Sequence, residues 1–377
     1  MFIFMLKIDR RQIKNFDWIT LAVIIVISLI GIMTIYSATR PLIAEEHSAY
    51  YIKQISWLIL GLAALFLIVS FDYMWLSRYS LPLYIIGLIL LLAVFIKGKI
   101  GMGAQRWLSI GPIAFQPSEF FKLVYLIMLS QYLSSLKSPM DALTLLRTFL
   151  VITLFPFLLL LKQPDLGTAL IIMAIFFSLV LAKGLHKRVA VLFIIISLIS
   201  LPFLGNIFWG GLKDYQKNRL VAFIEPQVDP TGIGYHLNQS KITVGSGKFF
   251  GKGYLQGTQG PFRFLPEKHT DFIFAVFAEE WGFFGSSLLL FFYLVLITRG
   301  LDTARKAKDD FGRLLALSIT FMFLIYFLIN VGMTLGLMPV VGVPLPFMSY
   351  GGTALLSNLV AAGILINIRT RRFELFH

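Results

Sequence analysis

The sequence predicts an all-α integral membrane protein, a polytopic bundle of about ten transmembrane helices with a long extracytoplasmic loop between helices 7 and 8. Three observations carry this reading. Of 377 residues, 58% are hydrophobic and 14% charged, against roughly 45–50% and about 25% in soluble domains. Mean hydropathy is +0.82. The apolar residues also fall in continuous runs, and about 20 such residues suffice to span a bilayer as a helix. So few charges cannot cover a soluble protein of this length, so lipid must solvate most of the surface. The runs do not alternate, which argues against a β-barrel.

Ten segments qualify, near 17–38, 54–71, 77–96, 117–135, 144–161, 166–183, 188–205, 272–298, 312–335 and 350–368. Lys7, Arg10, Arg11 and Lys14 precede the first. That run is long enough to span and lacks a good small-residue cleavage site after it, so it reads as a retained signal anchor. Pro156 and Pro202 lie inside two spans and are expected to kink them. No internal repeat and no domain linker is visible. The chain therefore reads as a single transmembrane domain over 1–377, with its outer loop at about 205–271.

Lysine and arginine set the orientation. With the N-terminus in the cytoplasm, the inner segments also hold Arg78, Lys137, Arg147, Lys183, Lys187, Arg188, Arg299, Arg305, Lys306, Lys308, Arg313, Arg369, Arg371 and Arg372. The short outer loops hold only Arg40, Lys53, Lys97, Lys99, Arg106 and Lys162. Both termini are expected inside. The net charge of +14 thus encodes topology, and no nucleic-acid partner is expected. Cysteine is absent, which excludes disulfides, a thiolate nucleophile and cysteine metal sites.

Ionisable residues in or beside a span are costly and point to function. Gln116-Pro-Ser-Glu-Phe-Phe-Lys122 opens the fourth span. Pro117 suits a first helical turn, Glu119 complements the helix dipole, and Glu119 and Lys122 are spaced to pair. The segment is either a capped helix with an internal ion pair or the polar wall of an outward-facing cavity. Arg106, beside Trp107, is either an interfacial anchor or a phosphate clamp. Asp165 either caps the sixth helix or joins the same site.

The segment Arg263-Phe-Leu-Pro-Glu-Lys-His-Thr-Asp-Phe-Ile-Phe-Ala-Val-Phe-Ala-Glu-Glu-Trp281 is the most informative. Thr270 or Asp271 is expected to cap the eighth helix, with Asp271 and Glu279 broadly on one face. Asp271, flanked by Lys268 and His269, is the candidate general base. A helix N-terminus would lower its pKa and apolar surroundings would raise it.

The outer loop is basic, with Lys213, Lys217, Arg219, Lys241, Lys248, Lys252, Arg263 and Lys268, and glycine-rich over 245–257. It is not a nucleotide P-loop, because Phe249 follows Gly247-Lys248 and Ile242 stands where the first glycine belongs. It reads either as a turn-rich loop or as a backbone nest that holds an anion with lysines such as Lys248. Pro339-Val-Val-Gly-Val-Pro-Leu-Pro-Phe-Met-Ser-Tyr-Gly-Gly-Thr353, which includes Ser349, carries no charge and suggests a re-entrant loop. Such backbone is tolerated only where protein or a cavity surrounds it. The histidines are scattered without zinc spacing. A divalent cation, Mg or Mn, held by carboxylates and phosphate oxygens stays open.

At these residues the chain resembles the SEDS family, named for shape, elongation, division and sporulation, and its elongation branch most. The resemblance rests on Arg106-Trp107, Gln116-Pro-Ser-Glu119, Lys162-Gln-Pro-Asp-Leu-Gly-Thr168, Gly234-Tyr-His-Leu-Asn-Gln-Ser240, Phe264-Leu-Pro-Glu-Lys-His-Thr-Asp-Phe272 and Pro344-Leu-Pro-Phe-Met-Ser-Tyr-Gly-Gly352. It covers nearly the whole chain. It implies a peptidoglycan glycosyltransferase of the bacterial inner (plasma) membrane that polymerises lipid II, with its active site facing outward and Asp271 as the essential catalytic residue. It implies a class B penicillin-binding protein and other elongation-complex proteins as partners. Arg106, Glu119, Lys122, Asp165, Lys248, Lys268, His269, Glu279 and Ser349 are the candidate substrate-binding residues. A lipid flippase and a non-catalytic scaffold are the competing readings. The clustering of informative polar residues on the outer side favours the enzyme.

Overall fold

The computed structural model describes residues 15–46, 49–101, 104–110, 113–189, 191, 210, 214–225, 232–258 and 268–373. The chain runs through α1 (Trp18–Glu46), α2 (Tyr50–Ser70), α3 (Met74–Arg78), α4 (Ser80–Lys97), α5 (Pro117–Ser135), α6 (Ala142–Lys162) and α7 (Leu166–Lys183). It continues through α8 (Asp214–Ile224), α9 (Ile233–Ser246), α10 (Ile273–Arg305), α11 (Asp310–Thr334) and α12 (Gly352–Thr370). Between α4 and α5 stand three short antiparallel strands, β1 (Lys99–Gly101), β2 (Ala104–Ile110) and β3 (Ile113–Phe115), in the order β1-β2-β3. The small sheet was not expected. It pairs Ile100 with Gln105 and Leu108 with Phe115, and it places Arg106 on a strand.

Among the described residues, eight helices are long and apolar enough to cross a membrane: α1, α2, α4, α6, α7, α10, α11 and α12. The expected span 117–135 is α5, a 19-residue helix outside those eight. Its Ser118, Glu119, Lys122 and Ser130 are buried among the other helices, and they lower its hydropathy. The expected span 188–205 and Pro202 lie almost wholly outside the described residues. Pro156 follows a π-helical turn, Phe149–Leu154, inside α6, one of the ways a helix absorbs a missing amide donor.

The core gathers side chains from every long helix, with Tyr125, Phe176, Tyr293, Phe323 and Tyr326 fully enclosed. α2 packs on α12, α10 on α11 and α1, and α5 on α4, α11 and α7. One end of the bundle is locked by ion pairs. Buried Asp17 takes Arg299 and Arg369, and Arg369 also reaches Asp302 at 2.8 Å. Lys183 pairs with Asp310 at 3.0 Å. Tyr73 donates to Asp309, the residue that caps α11; burial and that carboxylate hold its phenol well above the usual range.

α10 is broken at Gly282, where φ is 64° and ψ is −162°. The chain after α9 closes against this break. Lys252 N and Gly253 N donate to the Glu279 and Glu280 carbonyls, both at 3.0 Å. In return, Phe283 N and Phe284 N donate to the Lys248 and Phe249 carbonyls at 2.9 and 3.1 Å. A Cβ on Gly282 would strike Gly251 N and the Phe249 carbonyl. We therefore expect Gly282→Ala to cost about 1–3 kcal/mol from backbone strain alone, read as a lowered Tm of the purified protein. Gly245→Ala, whose Cβ would meet nothing within 4 Å, should leave Tm unchanged or slightly raised.

Candidate functional site

The candidate site lies at the end of the bundle opposite Asp17. Its floor is the loop 339–351. This loop is a re-entrant element in the sense expected: Phe347 and Met348 are buried, and the Met348 backbone rests against Gly31, midway along α1. Its backbone groups are met by side chains. Tyr293 donates to the Pro346 carbonyl at 2.6 Å, Gln54 to the Ser349 carbonyl at 3.1 Å, and Asn330 to the Val343 carbonyl at 2.8 Å.

The same loop fixes the segment that leads to Asp271. Ser349 Oγ donates to the Thr270 carbonyl at 2.7 Å and accepts from Leu345 N at 2.8 Å. Tyr350 N donates to the His269 carbonyl at 2.9 Å. The His269 ring lies 4.9 Å from that of Tyr50 and 5.6 Å from that of Tyr350. Asn330 also donates to the Asp271 carbonyl at 3.0 Å, so one buried amide ties loop and segment together.

Neither Thr270 nor Asp271 caps the helix. The N-cap is Phe272, which makes no side-chain cap bond, because residues 268–271 form a turn held by the loop. The expected shared face of Asp271 and Glu279 therefore does not arise. The Asp271 carboxylate turns instead to Gly342, where φ is 78°. A Cβ there would stand 3.3 Å from Asp271 Oδ2 and 3.6 Å from Arg219 Nη1. Carboxylate and guanidinium thus approach one glycine, and Arg219 is steadied by the Val341 carbonyl at 2.8 Å.

A second polar group adjoins this one through Val341 and Val343, which pack on Gly167 at the start of α7. Asp165 caps that helix, accepting from Thr168 N, and also accepts from Ser118 Oγ at 2.9 Å and Gln116 Nε2 at 3.4 Å. Arg106 Nη1 stands 4.0 Å from Asp165, and Nη2 donates to the Pro164 carbonyl. Glu119 and Lys122 pair at 2.7 Å, both nearly enclosed, and Lys122 also donates to Tyr326 Oη. Lys268 is buried as well.

Glu279 and Lys248 are not brought to this cluster. Glu279 is fully buried in the joint at the α10 break, where it accepts from Lys252 Nζ at 2.6 Å and from Thr258 N and Oγ1 at 2.9 Å. Eight residues separate it from Asp271, roughly 12 Å along a helix. The amides expected to form an anion nest are turned to α10, because irregular backbone beside a span must satisfy its own donors.

A family model described as cell cycle protein, covering FtsW, RodA and SpoVE, matches residues 14–374. The chain belongs to this family. It is 42% identical to the peptidoglycan glycosyltransferase MrdB of Escherichia coli (strain K12) over 290 residues, 77% of each chain. It is 32% identical to the peptidoglycan glycosyltransferase RodA of Treponema pallidum, over 96% of this chain and 99% of that one. Among solved structures, a chain of a peptidoglycan synthase complex that coordinates polymerization and crosslinking matches with a TM-score of 0.81 at 30% identity, over 95% of this chain and 99% of that one. The rod shape determining protein RodA of Thermus thermophilus matches with a TM-score of 0.70 at 28% identity, over 95% and 98%.

In this FtsW/RodA/SpoVE member, Arg219, Asn330, Gln54 and Tyr326 complete the site, and sequence reasoning did not single them out. Arg219 carried only its charge as a signal, shared with the other basic residues of the loop. Asn330 and Tyr326 sit inside an apolar run, where a lone amide or phenol is a weak mark. The enclosed Glu119–Lys122 pair makes a direct stability test. Removing one partner strands a buried charge, so Lys122→Met should cost about 3–5 kcal/mol, and the double variant E119Q/K122M should cost less. Thermal unfolding of both in the same detergent reads the difference.

Proposed function

We propose that this chain is a peptidoglycan glycosyltransferase that polymerises lipid II into glycan strands during cell-wall elongation. The observation that carries the reading is that the Asp271 carboxylate and the Arg219 guanidinium both approach Gly342, in a chain of this family. A sugar hydroxyl is a poor nucleophile and needs a base, and a pyrophosphate leaving group needs cations. In the proposed step, Asp271 takes the proton from the GlcNAc 4-hydroxyl. That oxygen bonds to C1 of the lipid-linked MurNAc and inverts it, while the bond from C1 to the phosphate oxygen breaks and releases undecaprenyl pyrophosphate.

Arg219, Arg106 and Lys268 supply positive charge for the leaving group, where arginine's planar fork suits phosphate oxygens. Asp165 and the Glu119–Lys122 pair hold the wall against which the substrate lies. Ser349 Oγ and the Tyr350 amide position Asp271 by donating to the carbonyls of Thr270 and His269, whose ring packs on Tyr50 and Tyr350. Lys248 and Glu279 take no part in this step. Among the described residues, no three His, Asp or Glu side chains gather as a metal site. A Mg or Mn ion that arrived with the pyrophosphate would supply further positive charge to the leaving group, with Asp271 left free as the base.

The Asp17 end, with both termini, is proposed to face the cytoplasm of a bacterial inner membrane, and the Asp271 end the outside. The concentration of basic residues at the Asp17 end supports this. The likeness to the synthase complex supports a crosslinking partner, a class B penicillin-binding protein, within a larger elongation assembly. A flippase is disfavoured: among the described spans, Asp, Glu, Lys and Arg side chains lie towards the two ends of the bundle.

The test is glycan polymerisation from labelled lipid II by the purified chain with its cognate penicillin-binding protein, with penicillin added to block crosslinking. Asp271→Asn should lose at least about 100-fold, the lower range for a general base, while eluting as a folded protein. Equal polymer from wild type and variant would remove Asp271 from the mechanism. No polymer from either would shift the reading to translocation.

A further inference from the structure

The segment from Gly247 to Thr258 has a feature that the reaction does not use. Both of its phenylalanines point away from the protein. Phe249 is 68% and Phe250 84% exposed, beside Phe283 at 64% and Phe284 at 68% on α10. The Phe249 ring lies 5.5 Å from that of Phe283 and 6.4 Å from that of Phe250. The backbone does the opposite. Lys252 N, Gly253 N, Thr258 N and the Lys248 and Phe249 carbonyls all bond to α10, and Gly251 N bonds to the Gly247 carbonyl. A chain that faces water has no need to turn its amides inward and its phenylalanines outward. A chain in lipid must do so.

The depth of the segment agrees. The Asp17–Arg299 pair marks one end of the spans. From Asp17, α1 reaches Met33 after sixteen residues and Ser37 after twenty, roughly 24 and 30 Å along the helix. The hydrocarbon layer is about 30 Å thick. Tyr254 of the segment contacts the Met33 carbonyl at 3.4 Å, and Ser37 donates to Glu280, beside the break. The segment therefore sits at the far hydrocarbon boundary, continuous with the exposed Phe284, Leu288 and Phe291 of α10.

We propose that residues 247–258 form a foot set into the bilayer, with Phe249 and Phe250 in phospholipid at the boundary between acyl chains and headgroups and the exposed Lys248 at headgroup level. The foot clasps both sides of the Gly282 break. Its seat in lipid thereby fixes the height of residues 273–281, which lead back to Asp271.

The chain has no cysteine, so single sites can be labelled cleanly. Phe250→Cys and, separately, Phe249→Cys would carry a nitroxide in the full chain, in nanodiscs of phosphatidylethanolamine and phosphatidylglycerol. Collision with oxygen, which partitions into lipid, is compared with collision with a water-soluble nickel chelate. Phe291→Cys serves as the lipid reference and Lys306→Cys as the aqueous one, being 55% and 56% exposed respectively. The oxygen-to-nickel ratio at 249 and 250 should approach that of 291 and exceed that of 306 several-fold. A ratio equal to that of 306 overturns the proposal. So does low collision with both reagents, which would mean that protein covers the segment. Neither readout depends on polymerase activity.

Discussion

Backbone that leaves the regular helix at membrane depth must find partners for its amides and carbonyls within the protein, and the loop 339–351 shows what this requires. Tyr293, Gln54 and Asn330 each reach from a different helix to take one of its carbonyls or that of a close neighbour. Ser349 closes the remaining turn. Three helices are thereby committed to holding one loop, and the loop in turn holds residues 268–271. The position of Asp271 is therefore set by the hydrogen-bond needs of a segment that carries no charge.

The segment 247–258 meets the same constraint differently. It borrows the break in α10, where Gly282 frees two amides and exposes two carbonyls, and it matches them with its own. Glycines at 247, 251 and 282 let the two backbones approach. Glu279, fully enclosed, then finds Lys252 and Thr258. A carboxylate buried without such partners would be costly, and here it fastens the joint.

Charge is distributed to the two ends of the bundle with different consequences. At the Asp17 end the pairs join helices far apart in sequence, α1 to α10 and α12, and α7 to α11. At the Asp271 end the Glu119–Lys122 pair is local to α5, and Arg106, beside Asp165, and Arg219 each donate to a backbone carbonyl. Carbonyls that anchor a guanidinium fix the direction of its remaining N–H donors, which suits an anionic ligand.

Much of this protein was legible in its residues. Continuous apolar runs gave the spans, because lipid allows no other way to bury so much apolar surface. Pro117, the Glu119–Lys122 spacing and the Asp165 cap are local, and they appear as read. α5 was legible as a helix, yet it falls outside the helices apolar enough to cross by themselves, because its polar residues are buried among neighbours. The small sheet around Arg106 was not legible, since strands this short carry no periodic signal. The cap at Asp271 and its shared face with Glu279 were misread, and the nest alternative for 245–257 falls away, for one reason. Each assumed that a local pattern acts alone, whereas the loop 339–351 and the Gly282 break impose partners from distant positions. The sequence by itself determined which segments enter the membrane and which carboxylates needed an explanation. Only the tertiary structure decided that Asp271 and Arg219 both approach Gly342 while Glu279 is enclosed elsewhere, because those contacts join residues whose separation along the chain leaves no periodic trace.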